Sequence, residues 1–294
     1  MDLNNLLRVK DMNPQHVLVL RHTPKEPMLR RKLPQLAAEK PAVFNAYQQT
    51  QGPEVEKAMQ RAKYVASFIG HEAGRALFVG IYAVGQAQPF TREQYWNVPA
   101  LLELGNKYGM KGFCPEEENR SSILWFDLSL TEHYAPWKGK LIIKWPPPEI
   151  RWFRWSDRNE MLILAILRES ELEETIPNWK KLDLTWQELS DLPRSWEDAL
   201  RQWRAIYYIF DKTDGKGYVG SAYGDENLLG RWRNYAKSGH GTNTLLLDRD
   251  PQNFLFTILE RVSPDLDGDD VIRLESTWKD RLHTRAPSGL NGNS

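Results

Sequence analysis

Residues 204–223 read RAIYYIFDKTDGKGYVGSAY, and this stretch decides the fold of the last third of the chain. Residues 205–210 are apolar, β-branched and aromatic, which is typical of a β-strand. An Asp-Gly pair follows in a short polar segment, and glycine accepts the positive φ that hairpin turns require. Residues 218–220, Tyr-Val-Gly, then begin a return strand. The stretch predicts a β-hairpin with Tyr207 and Tyr218 on neighbouring strands. A hairpin that only stacks two tyrosines fits it as well.

The sequence after the hairpin predicts a helix over residues 228–236, LLGRWRNYA. Arg231 and Tyr235 are four residues apart in it, so they lie one turn apart on the same helix face. Residues 253–262 then have the composition of a third strand. A basic and a phenolic side chain are therefore expected to point in the same direction from this helix.

A carboxylate is predicted on the apolar face of a later helix, for which Asp269 or Asp270 is the expected N-cap. The apolar residues that recur at helical spacing are Val271, Leu274, Trp278 and Leu282. Glu275 falls on the same face. A carboxylate there is costly unless a cation, a proton or a hydrogen-bond donor compensates it. From this helix alone two interpretations stay open, a metal ligand or a Glu paired with a neighbouring Arg.

Together these features resemble the GIY-YIG nuclease family. Its signature is a Gly-Ile-Tyr strand followed shortly afterwards by Tyr-Ile-Gly. The corresponding tripeptides here are Ala205-Ile206-Tyr207 and Tyr218-Val219-Gly220, so both tyrosines of the signature are present. The resemblance covers residues 200–294. It implies a small α/β domain with a three-stranded antiparallel sheet flanked by helices.

The resemblance also implies a site for phosphodiester hydrolysis. Glu275 would hold one Mg²⁺ or Mn²⁺ ion per site, and the ion would keep several waters. Arg231 would neutralise the charge that develops on the phosphoryl oxygens. Tyr207 would position or deprotonate the attacking water, while Tyr218 and Tyr235 would orient Tyr207, the water or the phosphate. The general base stays open between Tyr207 and Tyr218.

Two further residues are assigned to this site. Asn291 lies where the family carries a late Asn that supports the site, with Asn293 only two residues further on. His240 lies in a loop just past the helix that carries Arg231. Its unperturbed pKa suits a proton shuttle. Capping of the loop and contact with a phosphate are equally open for His240.

Residues 1–170 predict a separate domain that is rich in short strands. Such strands with few helices favour a mixed β-barrel or a curled sheet, so the predicted fold class is α+β. The strand order and the composition of these strands resemble the PUA-like group of EVE, YTH and ASCH domains. That resemblance implies a domain that grips a nucleotide, often one with a modified base in an aromatic pocket. The strand candidates are residues 76–84, 124–128, 140–145, 152–155 and 161–167.

The tryptophans of this first domain have two interpretations. They fill a barrel core, which is the commonest use of Trp, or some of them line a pocket that stacks a flipped base. Five are the candidate substrate-binding residues: Trp96, Trp125, Trp145, Trp152 and Trp155.

A polar segment separates the two predicted domains. Residues 171–200 begin with a Glu-rich run and are expected to form an ordered linker that is docked by its tryptophans. The expected organisation is thus a recognition domain over residues 1–170, this linker, and a nuclease domain over residues 201–294. The docking tryptophans are Trp179, Trp186 and Trp196.

Composition limits the function classes. The chain of 294 residues has 39 basic and 39 acidic residues. A nucleic-acid enzyme without net charge needs a local basic patch or a specific pocket. Cys114 is the only cysteine, so we expect no disulfide or zinc cluster, and a reducing cytoplasm. No signal peptide or membrane-spanning apolar run is predicted. Acyl-transfer and nucleotide-hydrolysis motifs are absent from the sequence.

Two function classes are compatible with these features. The first is a DNA endonuclease of restriction or phage defence, whose first domain selects double-stranded DNA through a modified cytosine. The second is a non-catalytic nucleic-acid reader that keeps a nuclease-like fold. Within the enzyme class, a repair or homing role is open as well. Whether two chains must meet as a homodimer to cut both strands is also left open.

Overall fold

The computed structural model of the chain describes residues 1–113, 120–224, 226–241 and 243–292. The chain divides into two compact units, Met1–Glu173 and Glu174–Ser294. Cys114, the only cysteine, and Asn293, the alternative to Asn291, lie outside the described residues.

One mixed β-sheet forms the centre of the first unit. Its strands follow the order β6-β1-β2-β3-β5-β7, and β4 pairs with the later part of β3. Strands β1 and β2 are parallel, and the other described pairs are antiparallel. The strands are β1 (Val17–His22), β2 (Tyr64–Gly70), β3 (Arg75–Thr91), β4 (Ser122–Leu130), β5 (Leu141–Lys144), β6 (Phe153–Trp155) and β7 (Ile163–Ile166).

The long strand β3 explains why this sheet differs from a closed barrel. Residues 75–77 of β3 pair with β5, whereas residues 82–91 pair with β4. The path along the sheet has two ends, β6 and β7, and no pairing among the described residues joins them. The predicted mixed strands are therefore present, but as an open path, and the PUA-like resemblance stays a prediction.

Helices cover the sheet of the first unit. Four of them begin with a proline, which has no N–H to leave unpaired at the first helical position. Leu33, Phe44 and Leu104 pack with Val79 of β3 in one buried cluster. No described helix of either unit is long and apolar enough to cross a membrane. The helices are α1 (Leu3–Val9), α2 (Pro27–Glu39), α3 (Pro41–Gln49), α4 (Pro53–Met59), α5 (Arg92–Trp96) and α6 (Pro99–Tyr108).

The second unit is built on an antiparallel sheet with the strand order β10-β9-β11-β8. Strands β9 and β10 are the two arms of the predicted hairpin, and Gly220 lies opposite Tyr207. The strands are β8 (Asp183–Thr185), β9 (Ala205–Asp211), β10 (Gly217–Ala222) and β11 (Phe254–Arg261). The helices are α7 (Trp186–Leu189), α8 (Arg194–Gln202), α9 (Asn227–Ser238) and α10 (Gly268–Arg281).

This sheet has one strand more than the predicted three, because β8 comes from the segment assigned to a linker. The leucines of that segment are buried: Leu184, Leu189 and Leu200 belong to the same cluster as Tyr207. A three-residue strand is too short for periodicity to reveal it. From Glu174 onward the chain is thus part of the second unit.

The two faces of this sheet are covered by different helices. Trp232 of α9 packs with Tyr207 on one face, and Val271 of α10 packs with Val219 on the other. The N-cap of α10 is Asp267 and not Asp269 or Asp270, and its side chain accepts a hydrogen bond from the Asp270 N–H at 2.8 Å. Strand β10 is an edge strand of this sheet, so groups from both faces can meet beside it.

Arg249 holds the hairpin turn. Its guanidinium donates to the Asp211 carboxylate at 2.6 Å and to both oxygens of Asp214 at 2.9 Å. These hydrogen bonds lower the pKa of the Asp214 carboxyl to about 2. Gly215 has the positive φ of 74° that the Asp-Gly pair predicted. The turn is therefore fixed, which sets the register of the two tyrosine-bearing strands.

Candidate active site

A pocket of about 420 Å³ lies beside the edge strand β10. Side chains from both sheet faces and from the C-terminal segment line it. Every residue assigned to the catalytic site from the sequence except His240 is among them: Tyr207, Tyr218, Arg231, Tyr235, Glu275 and Asn291. Positions that are far apart in the sequence therefore converge on one pocket.

Three tyrosines form one wall of this pocket. The ring centroids of Tyr207, Tyr218 and Tyr235 lie 6.0–6.3 Å apart, pair by pair. The Tyr207 hydroxyl donates a hydrogen bond to that of Tyr235 at 3.3 Å. Burial raises the pKa of both the Tyr207 and the Tyr235 phenol above the ordinary value. Both phenols therefore keep their protons at neutral pH and act as hydrogen-bonding groups.

Two glycines make room for these rings. A Cβ on Gly220 would lie 2.4 Å from the Tyr207 hydroxyl oxygen, which is closer than any real Cβ contact. A Cβ on Gly241 would lie 2.5 Å from the Tyr235 ring, and Gly241 also has a positive φ of 54°. Glycine is therefore required for steric reasons at the last position of the Tyr-Val-Gly motif, because the tyrosine of the partner strand lies across it.

Asn291 connects the C-terminal segment to the edge strand. Its side chain is 2% exposed. The amide oxygen accepts a hydrogen bond from the Val219 N–H at 2.9 Å, and the amide nitrogen donates to the Val219 carbonyl at 2.8 Å. Both ends of the amide are therefore engaged. Asn291 therefore fixes the strand segment between Tyr218 and Gly220.

Glu275 has two direct partners in the pocket. Its Oε1 lies 2.6 Å from the Lys279 ammonium, one helical turn further along α10. Its Oε2 accepts a hydrogen bond from the Ser221 hydroxyl. The Glu275 and Lys279 side chains are only 16% and 18% exposed. The structure thus supplies a cation to compensate Glu275, but it is a lysine of the same helix and not an arginine.

Arg231 is the other charged group on the pocket wall, and its side chain is exposed. Within the part of the chain that the structure describes, its guanidinium forms no ion pair. Arg231 follows Asn227 by one turn and precedes Tyr235 by one turn on α9. An exposed guanidinium at the wall of a polar pocket is suited to an anionic ligand, because its planar donors match carboxylate and phosphate oxygens.

The donor set around Glu275 fits a hard divalent cation. Among the described residues no group of three or more acidic, His or Cys side chains is placed to hold a metal. Mg²⁺ is commonly bound by one or two carboxylates while it keeps several waters and contacts a substrate phosphate. One carboxylate, the Ser221 hydroxyl and an open polar pocket match that pattern. Lys279 would have to leave Glu275 when such a cation binds.

Ser221 and Lys279 belong to the site but are not among the residues predicted from the sequence, although the sequence carries a signal for both. Strand alternation places Ser221 on the same face as Val219, which packs against α10. Lys279 follows Glu275 by four residues, the spacing of a helical ion pair. Both signals become useful only once β10 and α10 are known to be neighbours.

His240, in contrast, lies in the loop beside the pocket. Its carbonyl accepts a hydrogen bond from the Asn243 N–H at 2.8 Å. Gly241 and Asn243 line the pocket, whereas His240 does not. His240 is therefore adjacent in sequence to a lining residue but is not itself part of the pocket wall.

The five candidate tryptophans of the first unit do not form one pocket. Trp145 is a core residue, 1% exposed, so that no base can stack on it. Trp96 and Trp125 are partly buried against the same hydrophobic cluster. Trp152 lines one pocket and Trp155 lines a different one. Trp145 therefore fills the hydrophobic core and is not a substrate-binding residue. Trp152 and Trp155, in contrast, each have a surface that faces an open pocket.

Comparison with known proteins gives two partial similarities. The structure of the catalytic domain of homing endonuclease I-TevI is similar at 25% identity and a TM-score of 0.26, over 31% of this chain and 99% of that chain. The structure of a mutant of the same intron endonuclease domain is similar at 26% identity and a TM-score of 0.25, over 31% and 93%. No protein-family model and no curated protein matches the chain.

Proposed function

We propose that the chain is a Mg²⁺-dependent endonuclease that hydrolyses phosphodiester bonds of double-stranded DNA. The observation that carries the proposal is the pocket beside β10. It combines a carboxylate, Glu275, with the exposed guanidinium of Arg231 and a cluster of three tyrosines. A carboxylate supplies a cation site, and a guanidinium supplies an anion site. A phosphodiester bridged by both has the charge pattern that hydrolysis requires.

Each residue has a defined role in the proposed reaction. A divalent cation on Glu275 would withdraw charge from a phosphate oxygen and from a bound water. Arg231 would neutralise the charge that grows on the phosphoryl oxygens. Tyr207 keeps its proton because burial raises its pKa, so its hydroxyl would orient the attacking water. Tyr218 is the less buried of the two and lines the same pocket, so its hydroxyl would orient the water or the phosphate.

The first unit is proposed to select the DNA, as in a restriction or phage-defence enzyme that acts on modified cytosine. A pocket of about 320 Å³ in this unit supports the proposal. The partly buried rings of Tyr47 and Trp152 line it. Aromatic faces of this kind stack bases. A homodimer that cuts both strands is a further prediction of this proposal.

The test is digestion of a panel of duplex DNAs by the full chain in Mg²⁺. The panel contains unmodified DNA and phage DNAs that carry different cytosine modifications. We expect cleavage that requires the metal and that differs among the modifications. Equal cleavage of all DNAs would contradict selection by a modified base but not the nuclease. Binding of these DNAs without cleavage of any would instead identify a non-catalytic reader.

Replacement of Tyr207 by phenylalanine should lower the cleavage rate by about a hundredfold, because the water loses an orienting hydroxyl. Since the Tyr207 phenol stays protonated, the shape of the pH–rate profile between about pH 6 and 9 should not change. Single-turnover rates across this range test the prediction. Tyr208→Phe is the matched control, because Tyr208 lies on the other face of β9. A lost alkaline limb in Tyr207→Phe would contradict the assignment by showing that Tyr207 ionises.

Replacement of Lys279 by methionine should strengthen metal binding, since the ion competes with Lys279 for Glu275. A partly buried pair of this kind is worth about 1 kcal/mol, or roughly fivefold in affinity. Titration of Mn²⁺ in the absence of DNA, followed by calorimetry, measures the effect. Lys212→Met, an exposed lysine of the hairpin turn, is the control. Weaker Mn²⁺ binding in Lys279→Met would show that the lysine supports the metal site.

A further inference from the structure

The first unit also contains a pocket lined by charged side chains, at β6 and the short turn that follows it. It has a volume of about 380 Å³. Strand β6 is one end of the strand order in its sheet. We call this pocket the arginine cleft, and its lining residues are Arg151, Phe153, Arg154, Trp155, Arg158 and Asn159.

The positive charge of the arginine cleft is not balanced by ion pairs in the described part of the chain. None of Arg151, Arg154 and Arg158 forms an ion pair with a carboxylate within the described ranges. The nearby Glu149 is already paired with Arg21 at 3.2 Å. In a chain with 39 basic and 39 acidic residues, three arginines thus line one cleft, whereas the exposed carboxylates of the same turn, Asp157 and Glu160, do not line it.

Arg154 lies in the arginine cleft and is held by neutral groups. Its guanidinium donates to the Asn159 side-chain oxygen at 3.0 Å and to the carbonyls of Pro146 and Pro148 at 2.9 and 3.2 Å. Its Nε is buried and has no hydrogen-bond partner among the described residues. Burial and the positive charge of Arg151 lower the Arg154 pKa. A bound anion would offset the repulsion between the two guanidinium groups.

Aromatic side chains alternate with these cations. Phe153 and Trp155 are partly buried and contribute to the walls of the cleft. The guanidinium of Arg61 lies over the Trp155 ring, 5.7 Å from its centroid. A small free anion needs only the cations. Guanidinium groups interleaved with aromatic rings favour a nucleic acid, whose backbone binds the cations while its sugars and bases contact the rings.

We propose that the arginine cleft binds the phosphodiester backbone of DNA. The inference rests on the proposed function in that DNA is the partner, but it does not involve the pocket at Glu275. Guanidinium forks bind phosphate oxygens in a bidentate manner. Backbone contacts position a protein on DNA and carry no sequence information. The cleft therefore supplies affinity to the first unit, and selection of a base is left to another site.

The test uses the full chain carrying Glu275→Ala, so that DNA is bound but not cut. Fluorescence anisotropy with a labelled duplex in EDTA gives the affinity over a range of salt concentrations. We expect Arg151→Gln and Arg158→Gln each to weaken binding about threefold to tenfold and to reduce the slope of log affinity against log salt by about 0.9. Both side chains are exposed, so neither substitution should unfold the unit.

Arg168→Gln is the matched control, because Arg168 is an exposed arginine just beyond β7, the other end of the sheet order. It should leave affinity and salt slope close to those of the parent. Equal affinities and slopes in all variants would overturn the inference, whereas absence of metal-dependent cleavage in the unmutated chain would overturn the proposed function. Arginine-dependent binding to phosphatidylserine vesicles, with unchanged DNA binding, would make the cleft a membrane site and also overturn the inference.

Discussion

Replacement of Glu275 by alanine should abolish metal-dependent DNA cleavage while the fold and the affinity for DNA are largely retained. Glu275 is the carboxylate of the pocket beside β10, and no cluster of further acidic, His or Cys ligands exists among the described residues to replace it. Its partners, Lys279 and the Ser221 hydroxyl, can turn to water because the pocket is open. Cleavage assays in Mg²⁺, thermal unfolding and DNA binding in EDTA measure the three quantities.

The control for this variant is Asp269→Ala. Asp269 is an exposed carboxylate near the start of the same helix, so the change in charge is the same. We expect it to cut DNA at close to the normal rate. If Glu275→Ala cut at the wild-type rate in Mg²⁺, the assigned metal site would be wrong.

Replacement of Arg231 by alanine should reduce turnover about a hundredfold and DNA affinity far less. The proposed partner of the Arg231 guanidinium is charge that grows on the phosphoryl oxygens in the transition state. Loss of one such electrostatic donor costs on the order of 3 kcal/mol, which is a hundredfold in rate. Single-turnover rates and equilibrium binding, measured on the same DNA, separate the two effects.

Arg233→Ala provides the comparison for Arg231→Ala. Arg233 lies on the same helix two residues later, but it pairs with Glu197 and does not line the pocket. Its loss should change neither rate nor affinity by much. Equal losses of rate and affinity in Arg231→Ala would mean that Arg231 is a phosphate anchor in the ground state.

The local parts of the second unit are readable from the sequence. The apolar, β-branched and aromatic composition and the Asp-Gly pair predict the hairpin, and the structure forms it with Tyr207 opposite Gly220. The four-residue spacing predicts that Arg231 and Tyr235 share a helix face, and both line the pocket. These predictions succeed because each depends on residues that are close in sequence, where turn chemistry and helical periodicity act directly.

Features that depend on distant contacts are harder to predict. Strand β8 exists because it pairs with β11, which comes much later in the chain, and its three residues carry no period of their own. The two hydrogen bonds of Asn291 to Val219 show that its side chain holds the strand. Spacing alone gives the position of Asn291 but not its partner.

The first unit is the less predictable of the two. Trp145 and Trp155 both belong to strand-like segments of the sequence, yet Trp145 is buried in the core and Trp155 lines the arginine cleft. The difference arises from sheet order, because β6 ends the sheet whereas β5, just before Trp145, is an inner strand. Sheet order is set by long-range pairing, which a single sequence does not display.

The central claim is that the pocket beside β10 cuts a phosphodiester bond with the help of a divalent cation. The direct measurement is a time course of cleavage of the DNA that the panel identifies as the substrate, with wild type and Glu275→Ala side by side in Mg²⁺ and in EDTA. We predict cleavage by the wild type in Mg²⁺ alone, with no cleavage by the variant in either condition. Wild-type cleavage that persists in EDTA, or equal cleavage by the variant in Mg²⁺, would contradict the claim.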